Sequence, residues 1–446
     1  MARDRSGWWW VGVAVVSLAG LAVRIATVLG RPNRKAGGDE FTYHNGANLL
    51  ASGHGFIDPW LYYTPHHHII KQSASFPPLF LLLLAAVSLI GFKSFFAQRI
   101  FCCILGAAAI PLFALTGREI DSKKVGMVAA VIAALYPNLW MNDELALSEA
   151  LTPLLVVLLL YSVYHFWRRP SWWRAGAMGA ALGVAILGRD ELSLLALLVV
   201  VPMTLLARQV GFRRRVAMLG VTAAVAVLLI GPWVGYNFSR FEKPVFISTG
   251  LGVTLASANC NVSYYGPLTG YWSYRCALAT PINRKTDESV WEIEARHWAL
   301  KYVDAHRSRL PALALARVGR AFGFFQPYQQ IALDADVETR PYTWAKIGLW
   351  SYWAMLPLAA VGTVVLRRRR VPVFPLWAVA VQVAVAVVIT FGQTRYRIPF
   401  EVSLVLLASV PFGLIGRRRP PPPAEVAAAA DTPGDADAAV VDLAGV

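Results

Sequence analysis

Long apolar runs, separated by short clusters of arginine and lysine, constrain this chain more than any other feature. Several runs, beginning with residues 8–29, are near or above the length of roughly 20 residues that a helix needs to cross a bilayer. Hydrophobic residues make up 57% of the sequence, which excludes an ordinary soluble chain. The pattern predicts an all-α polytopic membrane protein with about ten transmembrane helices, interfacial helices in the first outer loop and one larger outer loop.

The distribution of basic residues indicates topology and not a nucleic-acid site. The net charge of +16 is carried largely by clusters between the apolar runs, which is typical of cytoplasmic loops. Arg3 and Arg5 precede the first run and place the N-terminus in the cytoplasm. That run is too long for a cleavable signal peptide and has no obvious cleavage site, so we expect a retained anchor.

Residues 77–92 decide the topology. If this apolar segment crossed the membrane, Arg118, Lys123 and Lys124 would face outside and every later basic cluster would be inverted. If it lies in the interface, every cluster of three or more arginines is cytoplasmic, in agreement with the positive-inside rule. We therefore predict an interfacial or re-entrant helix within a first outer loop, residues 30–98.

The resulting organisation is one transmembrane domain, residues 1–416, followed by a tail. Within the domain, residues 239–343 form the larger outer loop. The tail, residues 417–446, is rich in Pro, Ala and Asp and is predicted to be disordered and cytoplasmic. We expect a multi-pass protein of the plasma (inner) membrane with both termini in the cytoplasm.

Two adjacent carboxylates, Asp39 and Glu40, follow the first span and are functional candidates because charge beside an apolar span is costly. The alternative is structural, with Asp39 as an N-cap and Glu40 in a first helical turn. The predicted topology places further charged residues at outer ends of spans: Asp143, Glu144, Glu149, Arg189, Asp190, Glu191, Arg395 and Arg397. A carboxylate can act as a general base toward a hydroxyl, and an arginine can hold a phosphate. The combination indicates transfer from a lipid phosphate.

Other polar residues leave alternatives open. Arg24, near the outer end of the first span, either extends to the interface or faces a cavity and holds an anion. Cys260 and Cys276 can form a disulfide if their loop faces an oxidising compartment. The triplet His66-His67-His68 could bind a metal, although loop histidines usually do not. No cofactor is certain from the sequence, and a divalent metal remains open.

Several short motifs, in this order and spacing, resemble those of a known superfamily: Asp39-Glu40-Phe41-Thr42-Tyr43, Phe76-Pro77-Pro78-Leu79, Leu145-Ala146-Leu147-Ser148-Glu149, Gly188-Arg189, Gly231-Pro232-Trp233 and Thr394-Arg395-Tyr396-Arg397-Ile398-Pro399. The chain resembles the polytopic glycosyltransferases of the type C superfamily, in the branch of protein O-mannosyltransferases and aminoarabinose transferases of lipid A. The resemblance covers residues 8–416.

The resemblance implies a polyprenyl-phosphate sugar donor and an extracytoplasmic active site. Asp39 is then the catalytic base, and Glu149 matches a second acid. Arg395 and Arg397 are expected to bind the donor phosphate, with Arg189 as a further candidate. For Glu40 and Glu149 a structural role remains the alternative.

The sequence thus predicts a membrane glycosyltransferase that moves a sugar, with inversion, from a polyprenyl-phosphate donor to a protein, lipid or polysaccharide acceptor. The alternative is a transporter or flippase of lipid-linked sugars, which would carry the same outer charges. Many transporters contain two similar halves, and the sequence shows no convincing pair of them.

Overall fold

The computed structural model describes residues 4–65, 68–281, 283 and 285–415. The predicted tail and two histidines of the triplet, His66 and His67, lie outside these residues. The described residues form helices and one isolated bridge between Ile57 and Gln72, with no strand among them. The predicted all-α class is confirmed.

The α-helices of the described residues are, in chain order, α1 (Asp4–Leu29), α2 (Asp39–Ala51), α3 (Pro59–Tyr62), α4 (Pro78–Leu89), α5 (Phe95–Ile120), α6 (Lys123–Leu135), α7 (Pro137–Asp143), α8 (Thr152–Arg168), α9 (Trp172–Gly188), α10 (Val201–Leu205), α11 (Phe212–Arg240), α12 (Leu251–Ala258), α13 (Asn261–Tyr264), α14 (Tyr274–Leu278), α15 (Glu288–Ala305), α16 (Leu310–Ala321), α17 (Pro327–Glu338), α18 (Tyr342–Arg368), α19 (Phe374–Ile389) and α20 (Ile398–Ser409). Short 3-10 helices cover Ser148–Ala150, Asp190–Ser193, Arg307–Arg309, Thr394–Arg397 and Val410–Leu414, and a π-helix covers Ala196–Val200.

Six helices of the described chain are long and apolar enough to cross a membrane: Gly7–Leu29, Phe95–Ile120, Ser148–Arg168, Phe212–Arg240, Tyr342–Arg368 and Thr394–Leu414. The helices α6 and α7 form a seventh candidate if they are counted as one span with a bend of 53°. Other predicted spans correspond to shorter helices such as α9 and α19. The polytopic architecture is therefore confirmed, and the count of ten spans stays a prediction.

The apolar segment of the first outer loop forms α4, a helix of 12 residues. At 1.5 Å per residue its length is about 18 Å, against a hydrocarbon core of about 30 Å. The helix packs against α2, α5 and α9. Its short length fits the predicted interfacial position of residues 77–92, which stays a prediction.

Proline and serine explain where several membrane helices begin. Ser94, Ser122 and Ser171 cap α5, α6 and α9 by accepting a hydrogen bond from a first-turn N–H. Pro137 begins α7, and the preceding Tyr136 is extended, as residues before proline usually are. The resulting bend turns the chain inward before the loop that carries the carboxylates at 143–149.

Helix α20 lies at the centre of the bundle, and all of its residues are buried. It packs against α18, α19, α6 and α8. The 3-10 turn that carries Arg395 leads directly into this helix. The rigid centre of the fold therefore positions that arginine.

Candidate active site

Asp39 is the first residue of α2, and its side chain is 39% exposed. The cap position belongs to Gly38, whose φ of 52° lies in the left-handed region that glycine adopts most readily. The N-cap alternative for Asp39 is therefore wrong. Its carboxylate is instead turned toward Arg395, which donates a hydrogen bond of 2.9 Å from Nη1 to Asp39 Oδ2.

The Arg395 guanidinium is the centre of a cluster of three carboxylates. Besides Asp39, its Nη1 lies 3.5 Å from Glu338 Oε1, and its Nε lies 3.7 Å from Glu149 Oε1. The Arg395 side chain is only 17% exposed, so these contacts replace most of its hydration. The four residues come from α2, the turn before α8, the end of α17 and the turn before α20.

A second arginine of the predicted set, Arg189, completes the cluster. Its Nη1 is 2.8 Å from Glu149 Oε1, and its Nε is 2.5 Å from Glu191 Oε1. Glu149 therefore bridges Arg189 and Arg395. Both guanidinium carbons lie 5.7 Å from the centre of the Tyr396 ring, so each also makes a cation–π contact.

Glu338 was missed by the sequence analysis. Its carboxylate pairs with Arg340, at 2.7 Å from Nε, and accepts a hydrogen bond of 2.6 Å from Gln393. Burial raises the pKa of Glu338 to about 7, because an ionised carboxylate loses hydration there. The opposite charges of Glu338 and Arg340, near the end of the predicted outer loop, were the only sequence feature that pointed to this residue. Charged residues in loops are usually solvated, so the feature did not single it out.

Two predicted site residues lie apart from this cluster. Glu40 is buried, pairs with Arg34 at 2.7 Å and accepts the Ala146 N–H at 3.3 Å. Arg397 pairs with Glu401 at 2.6 Å, and its guanidinium carbon lies 3.7 Å from the centre of the Tyr352 ring. The structure brings neither side chain to Asp39.

Two further carboxylates of the predicted set, Asp143 and Glu144, are also paired with arginines, whereas Asp190 accepts a hydrogen bond from Ser248 at 2.6 Å. Arg24 is 1% exposed and donates to Asp143 at 2.6 Å, so the predicted extension to the interface is wrong. The alternative, an anion site, is also not seen, because the carboxylate of Asp143 occupies this position. Glu144 accepts from Arg31 and, at 3.2 Å, from Arg99. The pairs of Arg24 and Arg99 join α1 and α5 to the C-terminal end of α7.

The other candidates concern disulfide and metal sites. In the structure Cys260 and Cys276 are joined by a disulfide bond within the predicted outer loop. No group of three or more His, Cys, Asp or Glu side chains in the described parts of the chain is arranged to hold a metal ion. The carboxylates nearest to Asp39 converge on a guanidinium, so this donor set does not fit a metal.

The geometry combines a partly exposed carboxylate with a guanidinium that buried acids hold in place. Such a carboxylate can accept a proton from a hydroxyl at the surface of the site. The guanidinium beside it can bind a phosphate through parallel hydrogen bonds.

A family model supports the predicted resemblance over part of the chain. Residues 75–236 match the family described as dolichyl-phosphate-mannose-protein mannosyltransferase. This segment includes Glu149 and Arg189 but neither Asp39 nor Arg395. A search of curated protein sequences found no match.

Solved structures are similar over nearly the whole chain. The oligosaccharyltransferase of Archaeoglobus fulgidus, tethered with an acceptor peptide, has a TM-score of 0.55 at 15% identity, covering 92% of this chain and 50% of that one. The oligosaccharyltransferase AglB of the same organism, in complex with an inhibitory peptide and a dolichol-phosphate, has a TM-score of 0.53 at 15% identity, covering 91% and 50%. ArnT from Cupriavidus metallidurans, bound to undecaprenyl phosphate, has a TM-score of 0.43 at 18% identity, covering 91% and 78%.

This chain spans about half the length of the archaeal enzymes, and at such identities the similarity concerns the fold. The family match and the shared fold together confirm the predicted resemblance. The chain is a polytopic membrane protein with the fold of the type C glycosyltransferase superfamily, and its residues 75–236 match a protein mannosyltransferase family.

Proposed function

We propose that this protein is a membrane glycosyltransferase that moves one sugar from a polyprenyl-phosphate donor to an acceptor hydroxyl at the extracytoplasmic face of the plasma membrane. The observation that carries the proposal is the partly exposed Asp39 carboxylate, 2.9 Å from Arg395. The family description, which names a dolichyl-phosphate mannose, and the dolichol-phosphate bound to the archaeal enzyme support a lipid-phosphate donor. The acceptor is a protein, a lipid or a polysaccharide.

The proposed reaction is a single displacement with inversion. Asp39 takes the proton of the acceptor hydroxyl, and the acceptor oxygen bonds to the anomeric carbon. The bond between that carbon and the phosphate oxygen breaks on the opposite face, and the electron pair leaves with the polyprenyl phosphate. Arg395 stabilises the charge on the departing phosphate, so no protonating acid is required.

Arg395 has to change partners for this reaction to proceed. In the structure Nη1 of Arg395 is bound to the carboxylate of Asp39. While this contact lasts, the Asp39 carboxylate is not free to accept a proton from the acceptor. A donor phosphate that draws the guanidinium away would release the Asp39 carboxylate for the acceptor. Donor binding would therefore activate the base, and we expect the donor to bind before the acceptor.

The other predicted residues receive supporting roles. Glu149 holds Arg395 and Arg189 together and sets the direction of both guanidinium groups. Glu40 fastens the start of α2 to the loop before Glu149 through its bond to Ala146. Arg397 anchors the turn that carries Arg395 to the central helix through Glu401, four residues later.

The test is a transfer assay with purified protein. Radiolabelled polyprenyl-phosphate sugars are supplied with membrane extract as acceptor, and wild type is compared with Asp39→Asn. Loss of a general base should slow turnover by about 10²–10⁴-fold. The matched control is Asp304→Asn, which removes the same charge from an outer-loop side chain that is 63% exposed.

Full turnover in Asp39→Asn would contradict the assigned role. Absence of turnover with every donor, together with donor binding that survives in the variant, would favour the transporter instead.

A further inference from the structure

A basic cavity lies at the end of the bundle opposite to Asp39. It is formed where α5 and α8 end and α9 begins. Arg99 of α5 binds Glu144 at the candidate-site end, and Glu119 in the cavity lies 20 residues further along the same helix. At 1.5 Å per residue this separation is about 30 Å, the thickness of the hydrocarbon core. The cavity therefore lies at the level of the opposite headgroups.

Four arginines line this cavity: Arg118, Arg168, Arg169 and Arg174. Within the described residues none of the four has a carboxylate at ion-pair distance. Two acidic side chains also line the cavity: Glu119, which contacts His165 of the same lining at 3.2 Å, and Asp121, which pairs with Arg369. Four arginines against two carboxylates give the lining a net positive charge, and at about 360 Å³ the cavity has room for a phosphate group with several waters.

Backbone contacts hold two of these arginines in place. Arg168 donates from Nε to the Glu119 carbonyl at 2.8 Å and from Nη2 to the Ile120 carbonyl at 3.3 Å, at the C-terminus of α5. Arg174 donates to the Arg169 carbonyl at 2.7 Å. Side chains positioned in this way lose less freedom when an anion binds.

Tryptophans at the same end mark the interface. Trp8 is 73% exposed and Trp173 is 80% exposed, which is typical of rings at the headgroup level. The Arg118 guanidinium carbon lies 5.3 Å from the Trp9 ring and 6.0 Å from the Trp10 ring. Arg118 is thus held at the membrane surface and not within the core.

Arginines at this end would be expected from topology alone. The positive-inside rule is enough to explain exposed side chains such as Arg208 and Arg213, since they line no part of this cavity. The four cavity arginines differ because they line one open, concave pocket together. We propose that this cavity binds the phosphate of an anionic phospholipid headgroup, clamping α5, α8 and α9 together at the membrane surface.

The test is lipid retention by the purified full chain in detergent, measured by native mass spectrometry. Phosphatidylglycerol or phosphatidylcholine is added to wild type, to Arg118→Gln/Arg169→Gln and to a control of equal charge, Arg208→Gln/Arg213→Gln. Loss of two arginine–headgroup contacts should weaken phosphatidylglycerol retention by about thirtyfold in the first variant. The control should retain the lipid as wild type does.

Equal loss in both variants would mean non-specific attraction and would overturn the proposal. Equal retention of both lipids by wild type would also overturn it. Displacement of phosphatidylglycerol by millimolar inorganic phosphate would assign the cavity to a soluble phosphate instead. If the glutamine variant does not fold, Arg118→Lys/Arg169→Lys preserves the charges and should keep most of the selectivity. Loss of selectivity in a folded lysine variant would overturn the proposal as well, because the positive charges would still be present.

Discussion

The buried pair of Arg24 and Asp143 permits a stability prediction that needs no substrate. Both side chains are almost wholly inaccessible, with exposures of 2% and 1%, and Arg24 Nε is 2.6 Å from Asp143 Oδ2. The same guanidinium donates to the carbonyls of Gly20, Ala133 and Ala134. The change Asp143→Asn keeps the shape of the side chain but leaves the guanidinium charge uncompensated.

Removing one partner of a buried ion pair costs about 3–5 kcal/mol, because the remaining charge can neither be hydrated nor neutralised. We expect Asp143→Asn to lose stability in this range. Because the three hydrogen bonds from Arg24 to backbone carbonyls remain, we expect the loss of stability to lie toward the lower end of this range. The double variant Arg24→Gln/Asp143→Asn carries no buried charge and should recover most of the loss.

The assay is thermal unfolding of the purified protein in one detergent. The fraction that remains folded after heating is measured by size-exclusion chromatography. Asp304→Asn serves as the control for loss of an acidic residue at an exposed position. The expected order of midpoints is wild type and control highest, the double variant slightly lower, and Asp143→Asn clearly lowest. An Asp143→Asn midpoint equal to that of wild type, or a double variant as unstable as Asp143→Asn, would refute the reasoning.

Three further predictions concern the end of the bundle that carries the candidate site. Because burial raises the pKa of Glu338 from its ordinary 4.5 to about 7, its contribution to stability is fully present below about pH 4.5 and is lost as the pH rises through 7. The melting midpoint of wild type should therefore fall over this range more than that of Glu338→Gln, and parallel pH curves would contradict the assignment. Arg397→Gln should lower the melting midpoint without a selective rise in the donor KM, because Arg397 binds Glu401; a raised KM at unchanged stability would place it at the phosphate. Reduction of the Cys260–Cys276 bond, which spans 16 residues, should cost about 3 kcal/mol, and equal midpoints with and without dithiothreitol would argue against the bond.

The helical class was predictable because a lipid environment leaves the backbone few choices. Every buried N–H and carbonyl needs a partner, and a long apolar run satisfies them most simply as a helix. The bend at Pro137 was not predicted, although the residue before a proline avoids the helical conformation. The number of membrane spans and the side that each helix end faces were harder to predict. Short helices such as α9 and α19 are stabilised by packing against neighbouring helices, which the sequence does not show.

The candidate site was only partly predictable. Asp39, Glu149, Arg189 and Arg395 were all predicted site residues, and the structure brings these four together. The resemblance also selected Arg397, yet two residues in a 3-10 turn differ by about 240° in direction, so Arg397 faces Glu401 instead. Glu338 had only a weak local signal, the nearby charge of Arg340, because its role depends on the approach of α17 to the turn before α20.

The sequence by itself determined that the chain forms apolar helices, where charged residues interrupt them and which motifs resemble a glycosyltransferase superfamily. These properties follow from local composition and spacing. Only the tertiary structure decided which charges meet, such as Arg24 with Asp143 and Arg395 with Glu338. The physical reason is that a charge in a low-dielectric interior must find an opposite charge within a few ångströms, and helix packing alone determines which partner lies that close.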